Sequence, residues 1–127
     1  MARVYLSTCE RDGQVIVALR GEPDVAEAAS VAAGLTAIAA REREVIVDLA
    51  GLNFIDSSGV AALLRARKHA RQAGGDLLLA APQRQVLRIL ALTGLIDVFT
   101  VHASVDEAAG SVAPRRQVTG RPAALTA

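Results

Sequence analysis

The sequence is poor in aromatic residues and in cysteine. Among its 127 residues there are two Phe, one Tyr and no Trp. A core must therefore be built from aliphatic side chains, and there are too few aromatic rings for a stacking platform that binds single-stranded nucleic acid. The single cysteine, Cys9, cannot form an internal disulfide or a thiolate metal cluster. Nothing in the composition calls for an oxidising compartment, a metal or an organic cofactor.

A large charge of one sign and a long apolar run are also missing. The formal net charge is +1, from 14 basic and 13 acidic residues. Arg115, Arg116 and Arg121 stand in the last stretch, so 14 less these three leaves 11 basic residues against 13 acidic ones in the body. A domain with this slightly acidic charge is expected to bind polyanions such as nucleic acids poorly. No apolar run approaches the roughly 20 residues that cross a bilayer, and the start lacks a signal-peptide pattern. We expect a cytoplasmic protein that binds neither nucleic acid nor a membrane.

The common catalytic and nucleotide-binding motifs are absent. There is no G-x-x-x-x-G-K-[ST] loop and no G-x-G-x-x-G turn. The serine turn is not a G-x-S-x-G elbow, because Asp56 or Ile55 stands where a glycine is required. His69 and His102 are the only histidines, and a solvated or packing role suits both better than catalysis. We therefore predict that the chain is not an enzyme; a nucleotide-binding or hydrolytic enzyme is the weaker alternative, which direct nucleotide titration would test.

Aliphatic periodicity is what the sequence has in abundance, with 52% hydrophobic residues. It predicts strands over 4–9, 14–20, 45–49, 76–81 and 97–101, and helices over 25–40, 60–73, 82–92 and from 104. The order β-β-α-β-α-β-α-β-α predicts an α/β fold with a mixed sheet of four to five strands packed with about four helices. We expect one domain over 1–110 and a flexible basic tail over 111–127, whose deletion changes stability little.

Two adjacent serines follow the apolar strand over 45–49. Asp56, Ser57 and Ser58 stand where a helix begins, and all three side chains are of types that cap helices. An ordinary N-cap is the simplest interpretation of these residue types. A phosphoryl group at this place would gain from the helix dipole and would bring roughly −1.5 to −2 charges beside Asp56. The residues alone therefore permit a switch and do not require one, and they do not say which hydroxyl caps.

The segment around the serines resembles a known family. Residues 45–49 (VIVDL), Leu52 and residues 54–60 (FIDSSGV) are similar to the signature of bacterial anti-sigma factor antagonists, members of the STAS class that sulfate-transporter tails share. Further matches are Gly21-Glu22-x-Asp24, Gly74-Gly75-Asp76, Ala81-Pro82, Leu92-Thr93-Gly94-Leu95 and Phe99. The resemblance covers about residues 4 to 110 in the expected order, so it implies a single STAS domain.

The resemblance implies a protein-binding switch without a cofactor. The unphosphorylated protein would bind an anti-sigma factor that is also a serine kinase, and this would release a sigma factor. The kinase would phosphorylate the antagonist and end the complex, and a serine phosphatase would reset it. By motif match, Ser57 is the phosphoacceptor, and Asp56, Ser58 and Gly59 form its local surface. The protein is expected to be a monomer.

The loop ahead of the first helix is a second expected contact region. The resemblance assigns Glu22 and Asp24 to partner binding. Pro23, between them, departs from the aliphatic residue usual in the family; it removes a backbone donor and fixes φ, which alters the shape of this loop.

Another member of the same class offers an alternative function. The chain would then be a STAS accessory subunit of a lipid or anion transporter, which has no need of a phosphorylatable hydroxyl at the turn. The serine pair favours the regulatory function. Neighbouring genes for a histidine-kinase-like ATPase would support signalling, and neighbouring transporter genes would support the alternative.

Overall fold

The computed structural model describes residues 4–11, 13–21, 25–41 and 44–111. Its elements are β1 (Val4–Arg11), β2 (Gln14–Gly21), α1 (Val25–Arg41), β3 (Glu44–Leu52), α2 (Ser57–Gln72), β4 (Asp76–Ala80), α3 (Arg84–Leu92), β5 (Thr100–His102) and α4 (Val105–Ser111). A short 3-10 helix, Leu95–Asp97, lies between α3 and β5. The predicted order of strands and helices is confirmed, and the fold is α/β with a five-stranded mixed sheet.

The strands lie in the sheet in chain order, β1-β2-β3-β4-β5. The hairpin of β1 and β2 is antiparallel and places Leu6 opposite Leu19. Gly13 makes its turn with φ 82°, a left-handed conformation that glycine adopts without strain. Strands β2 to β5 are parallel, so each step between them needs a crossover, and α1, α2 and α3 supply these. The carboxyl ends of the parallel strands therefore meet at one edge.

Strand β3 is buried on both faces, as its apolar run predicts. Val45, Val47 and Leu49 belong to the main core, which the sheet forms with α1, α2 and α3. Ile46 points to the opposite face and belongs to a smaller cluster with Ala108 of α4. All four of these β3 side chains are fully buried, and each contributes roughly 1.5–3 kcal/mol through apolar burial. A strand covered on both faces holds the segment that follows it in a fixed position.

Several predicted boundaries were wrong. Helix α2 begins at Ser57 instead of residue 60, and β3 continues to Leu52 instead of ending at residue 49. Asp97 belongs to the 3-10 helix, and the last strand is Thr100–His102 instead of 97–101. The chain turns at Gly94 with φ 77°, and Phe99 is buried in the main core ahead of the strand. Only three residues of β5 pair with β4. Helix α3 starts after Pro82, because its cap Gln83 has an extended backbone with ψ 160°.

Some expectations fall outside the described residues. Glu22 and Asp24 lie there, and so does the predicted tail beyond Ser111, which itself ends α4. Within the part of the chain that the structure describes, no helix has both the length and the apolar character needed to cross a membrane.

Candidate functional site

The serine turn lies at the carboxyl end of β3, where the chain crosses into α2. Asp56 is the N-cap of α2, with φ −111° and ψ −173°. Its Oδ1 accepts a hydrogen bond from the Gly59 backbone N–H at 3.0 Å, and its carbonyl accepts one from Val60 N–H at 3.0 Å. The carboxylate therefore performs the capping that the sequence left open among three residues.

Ser57 and Ser58 are both exposed at the first two positions of α2. Among the described residues, no hydrogen bond uses either hydroxyl. Because Asp56 caps the helix, both hydroxyls face solvent at the positive end of the helix dipole. An incoming reagent can reach them without breaking a contact of the fold.

Gly59 allows the turn to pack closely on the core. A Cβ at this position would lie 2.7 Å from Cγ1 of Ile55, a separation that real Cβ atoms essentially never show. Ile55 belongs to the main core and is 3% exposed. The side chain of Ile55 thus anchors the turn from below, and Gly59 leaves room for it.

Two glutamines at the start of α3 hold the loop that leads to the serines. Gln83 Nε2 donates to the Ala50 carbonyl at 2.7 Å and to Asn53 Oδ1 at 3.3 Å. Gln85 Nε2 donates to the Asn53 carbonyl at 2.9 Å and to Gln83 Oε1 at 3.1 Å. Sequence reasoning missed both residues, since an amide side chain near a helix start carries no motif and its partners lie about 30 positions away in the chain.

An apolar groove of about 390 Å³ opens beside Ser57, between α2 and α3. Its lining residues include Phe54, Val60, Ala61, Leu64 and Ile89. Phe54 is 49% exposed, which is unusual for one of only three aromatic residues. The serine turn therefore stands at the rim of an apolar surface, an arrangement typical of protein-binding sites.

Neither histidine serves the serine turn. His69 follows Ser57 by twelve positions on α2, which places it roughly 18 Å farther along the helix. Within the ranges that the structure describes, no group of three His, Cys, Asp or Glu side chains could hold a metal ion. The turn by itself offers exposed hydroxyls at a capped helix start, next to the carboxylate of Asp56.

His102 takes part in a different cluster, at α4. Its Nδ1 lies 3.3 Å from Glu107 Oε1, and its Nε2 lies 3.3 Å from the Ser111 hydroxyl. The order of groups is that of a hydrolase triad, but the Ser111 hydroxyl donates to the Ala108 carbonyl at 2.7 Å. Its proton is therefore directed away from the imidazole. The cluster fastens α4 to β5, as the packing interpretation of His102 expects.

The pKa of Glu107 is lowered, mainly because its carboxylate accepts a hydrogen bond from the Ala103 backbone N–H at 2.9 Å and secondly because it contacts His102. Ser104 Oγ in turn accepts a hydrogen bond from Glu107 N–H at 3.0 Å. These bonds form a capping arrangement at the start of α4.

Comparisons with known proteins agree on one family. Residues 5–108 match the family model described as STAS domain. BtrV of Bordetella bronchiseptica, a candidate anti-sigma factor antagonist, is 33% identical over 101 residues, which cover 79% of this chain and 87% of BtrV. The anti-sigma-F factor antagonist RsfA of Mycobacterium tuberculosis is 33% identical over 100 residues, which cover 76% of this chain and 78% of RsfA.

The fold is also similar to solved structures. SpoIIAA, an anti-sigma factor antagonist solved in its unphosphorylated form, superposes with a TM-score of 0.68 and 22% identity. The superposition covers 94% of this chain and 99% of SpoIIAA. At this identity the likeness concerns the fold alone.

Proposed function

Because the chain belongs to the STAS domain family, we propose that it is an anti-sigma factor antagonist controlled by phosphorylation of Ser57. Two relatives of one-third identity carry that description in their names. The single observation that supports the switch most directly is that Asp56 caps α2 and leaves the Ser57 hydroxyl exposed and without a structural task. The protein acts in the cytoplasm, without a cofactor.

The unphosphorylated surface binds an anti-sigma factor that is also a serine kinase. Ser57, Ser58 and Gly59 form the centre of this surface, with Asp56 at its edge, and Glu22 and Asp24 add contacts. Binding withdraws the anti-sigma factor from its sigma factor. A small and close-packed turn suits such a contact, because Gly59 lets the start of α2 lie close over Ile55 and leaves the two serines exposed.

Phosphorylation ends the complex by changing charge at a fixed place. The phosphoryl group adds roughly −1.5 to −2 charges next to Asp56, whose carboxylate the Gly59 N–H holds in position. Two neighbouring negative groups on a close-packed interface are costly to desolvate. Because the Ser57 hydroxyl makes no hydrogen bond among the described residues, the modification leaves the domain folded, and a phosphatase restores the binding surface.

Substitution of the two serines tests this function. Ser57→Ala should keep the fold and bind the anti-sigma kinase persistently, since the phosphate acceptor is gone. Ser57→Asp should weaken binding, although one carboxylate only partly imitates a phosphate dianion. Ser58→Ala is the matched control and should still be phosphorylated. Unphosphorylated protein used as bait in the native cytoplasm should recover a kinase of the ATPase fold.

Mass spectrometry after incubation with that kinase and ATP locates the phosphate. Modification at Ser57 is the expected result. Modification at Ser58 alone would overturn the assignment of the residue, and an active partner kinase that modifies neither serine would refute the switch.

A further inference from the structure

The groove beside Ser57 continues into an exposed apolar strip on α3. Ile89 lines the groove, and Leu92 follows it by three positions, on the same side of the helix. Leu92 is 76% exposed, the highest value among the large apolar side chains described as exposed. Phe54 also lines the groove and is 49% exposed, so the groove offers apolar surface that the described residues leave open.

Basic side chains border this surface. Arg65 and Lys68 lie one helical turn beyond Ala61 and Leu64, which line the groove on α2. Arg88 lies one turn before Leu92 on α3. All three are exposed, and no ion pair or hydrogen bond within the described ranges involves them.

The other basic residues near the end of α2 are engaged. Arg67 and Arg71 lie 3.8 Å and 3.4 Å from carboxylate oxygens of Asp76. Among the described residues, Arg65, Lys68 and Arg88 are therefore unpaired, whereas Arg67 and Arg71 are paired with Asp76. The acidic residue that lines the groove, Asp56, lies at its serine-turn end, where the carboxylate caps α2. Unpaired basic side chains beside a binding groove favour an acidic partner. Opposite charges across an interface speed association and determine how the partner is aligned in the groove.

This border argues against two occupants that the chain itself could supply. In a symmetric dimer the same patch would face itself, and Arg65, Lys68 and Arg88 would meet their own copies. Residues 112–127 carry Arg115, Arg116 and Arg121 and no acidic residue, so their charge also matches that of the border. The charge pattern points instead to another protein.

We propose that the groove binds an amphipathic helix of the anti-sigma partner, with its apolar face on Leu64 and Ile89 and its Asp or Glu side chains against Arg65, Lys68 and Arg88. The inference rests on the proposed function for the identity of the partner. The stretch from Ser57 to Lys68 measures about 16 Å along α2, which suits about three turns of a docked helix. One end of that helix lies against the serine turn, so the phosphate of Ser57 would meet its acidic flank.

Two synthetic helical peptides of about 14 residues test the charge preference. They share one leucine face and carry either Glu or Lys on the flanks. In a titration of the isotope-labelled full chain, the Glu peptide should shift the amides of Val60, Ala61, Leu64 and Ile89. The Lys peptide should bind at least about tenfold more weakly, since like charges oppose docking.

Charge reversal in the groove border is the critical variant. Lys68→Glu combined with Arg88→Glu should reverse the preference between the two peptides. The control pair, Arg41→Glu with Arg84→Glu, makes the same change in net charge at exposed positions outside the groove lining and should keep the original preference. Equal binding of both peptides, or the same loss in the control, would overturn the inference, as would a dimer that the groove variant abolishes.

The same two variants separate this inference from the proposed function. With the partner kinase and ATP, the groove variant should raise the KM for Ser57 phosphorylation about tenfold, the size expected when close charge pairs are removed, and the control should not. Normal phosphorylation of the groove variant would refute the docking inference and leave the switch intact. Absence of phosphorylation in the unsubstituted chain would refute the switch, whatever the peptides show.

Discussion

At the scale of single residues, the serine turn depends on a carboxylate and a glycine. Asp56 takes the capping bond from Gly59 N–H, and this frees both hydroxyls. Gly59 lacks the Cβ that would collide with Ile55. The exposure of the serine hydroxyls therefore depends on Asp56 and Gly59 more than on the serine side chains themselves.

The close approach at Gly59 gives the first prediction at this scale. Gly59→Ala should lower the free energy of unfolding by about 1–3 kcal/mol, the usual cost of overpacking a core, because the new Cβ would meet Ile55 at 2.7 Å. Gly34→Ala is a matched control inside α1, where the nearest atom to a Cβ is Leu6 Cδ1 at 3.6 Å. It should raise stability by about 0.5–1 kcal/mol. Urea unfolding of both variants checks the opposite signs, and equal effects would contradict the packing argument.

The position of the serines at a helix start was predictable from the sequence. That neither hydroxyl would cap the helix was not predictable. Asp and Ser are caps of similar quality, so the residue types could not decide which one bonds to Gly59. Gln83 and Gln85 were beyond prediction for another reason. They reach Ala50 and Asn53 only after β4 has paired with β3, and no local pattern records that contact.

At the scale of secondary-structure elements, α4 is the shortest α-helix that the structure describes, and it depends on polar contacts at both ends. Ala108 is buried against the sheet, and Val105 and Ala109 are only partly buried there. Glu107 bonds to Ala103 N–H and contacts His102, and Ser111 contacts the same histidine. A helix of seven residues gains little from its own hydrogen bonds, so these contacts determine whether it stays docked.

Acid should therefore weaken α4 first. The pKa of Glu107 is lowered from its ordinary value of 4.5, so its contribution to stability is present above that pH and is lost as the pH falls through the lower native value. Glu107→Gln should flatten this acid dependence in native-state hydrogen exchange of the α4 amides. Ser111→Ala retains the titrating carboxylate and should keep the dependence. An unchanged acid response in Glu107→Gln would show that another group is responsible.

Element types followed from periodicity more reliably than element ends. The doubly buried run of β3 was readable because it has a strong local signal. Helix α2 begins three residues earlier than predicted, at Ser57, because Asp56 caps it. Strand β5 was placed too early, since three paired residues cannot establish a period and the buried Phe99 belongs to the preceding turn. The exposed Leu92 was equally unreadable, because an apolar residue at helical spacing normally points inward.

At the scale of the whole molecule, the two faces of the sheet pack against different helices. The main core joins the sheet to α1, α2 and α3, and the smaller cluster joins it to α4. The serine turn, the groove and its basic border all lie with α2 and α3. The formal net charge of +1 therefore hides an uneven distribution, in which Arg65, Lys68 and Arg88 lie beside the apolar groove without an ion pair among the described residues.

The last prediction concerns the chain beyond α4. A variant that ends at Ser111 should unfold within about 0.5 kcal/mol of the full chain, because the sequence of residues 112–127 lacks the apolar periodicity of an element that packs on a core. It should also bind the Glu-flanked peptide with unchanged affinity, since the groove and its border lie between Phe54 and Thr93. Paired urea unfolding curves and peptide titrations measure both quantities.

Two outcomes would contradict this prediction. A loss of more than about 2 kcal/mol in the free energy of unfolding would show that residues 112–127 pack on the domain, since surface changes stay well below that size. Tighter peptide binding after truncation would show that these residues compete for the groove, in spite of their matching charge.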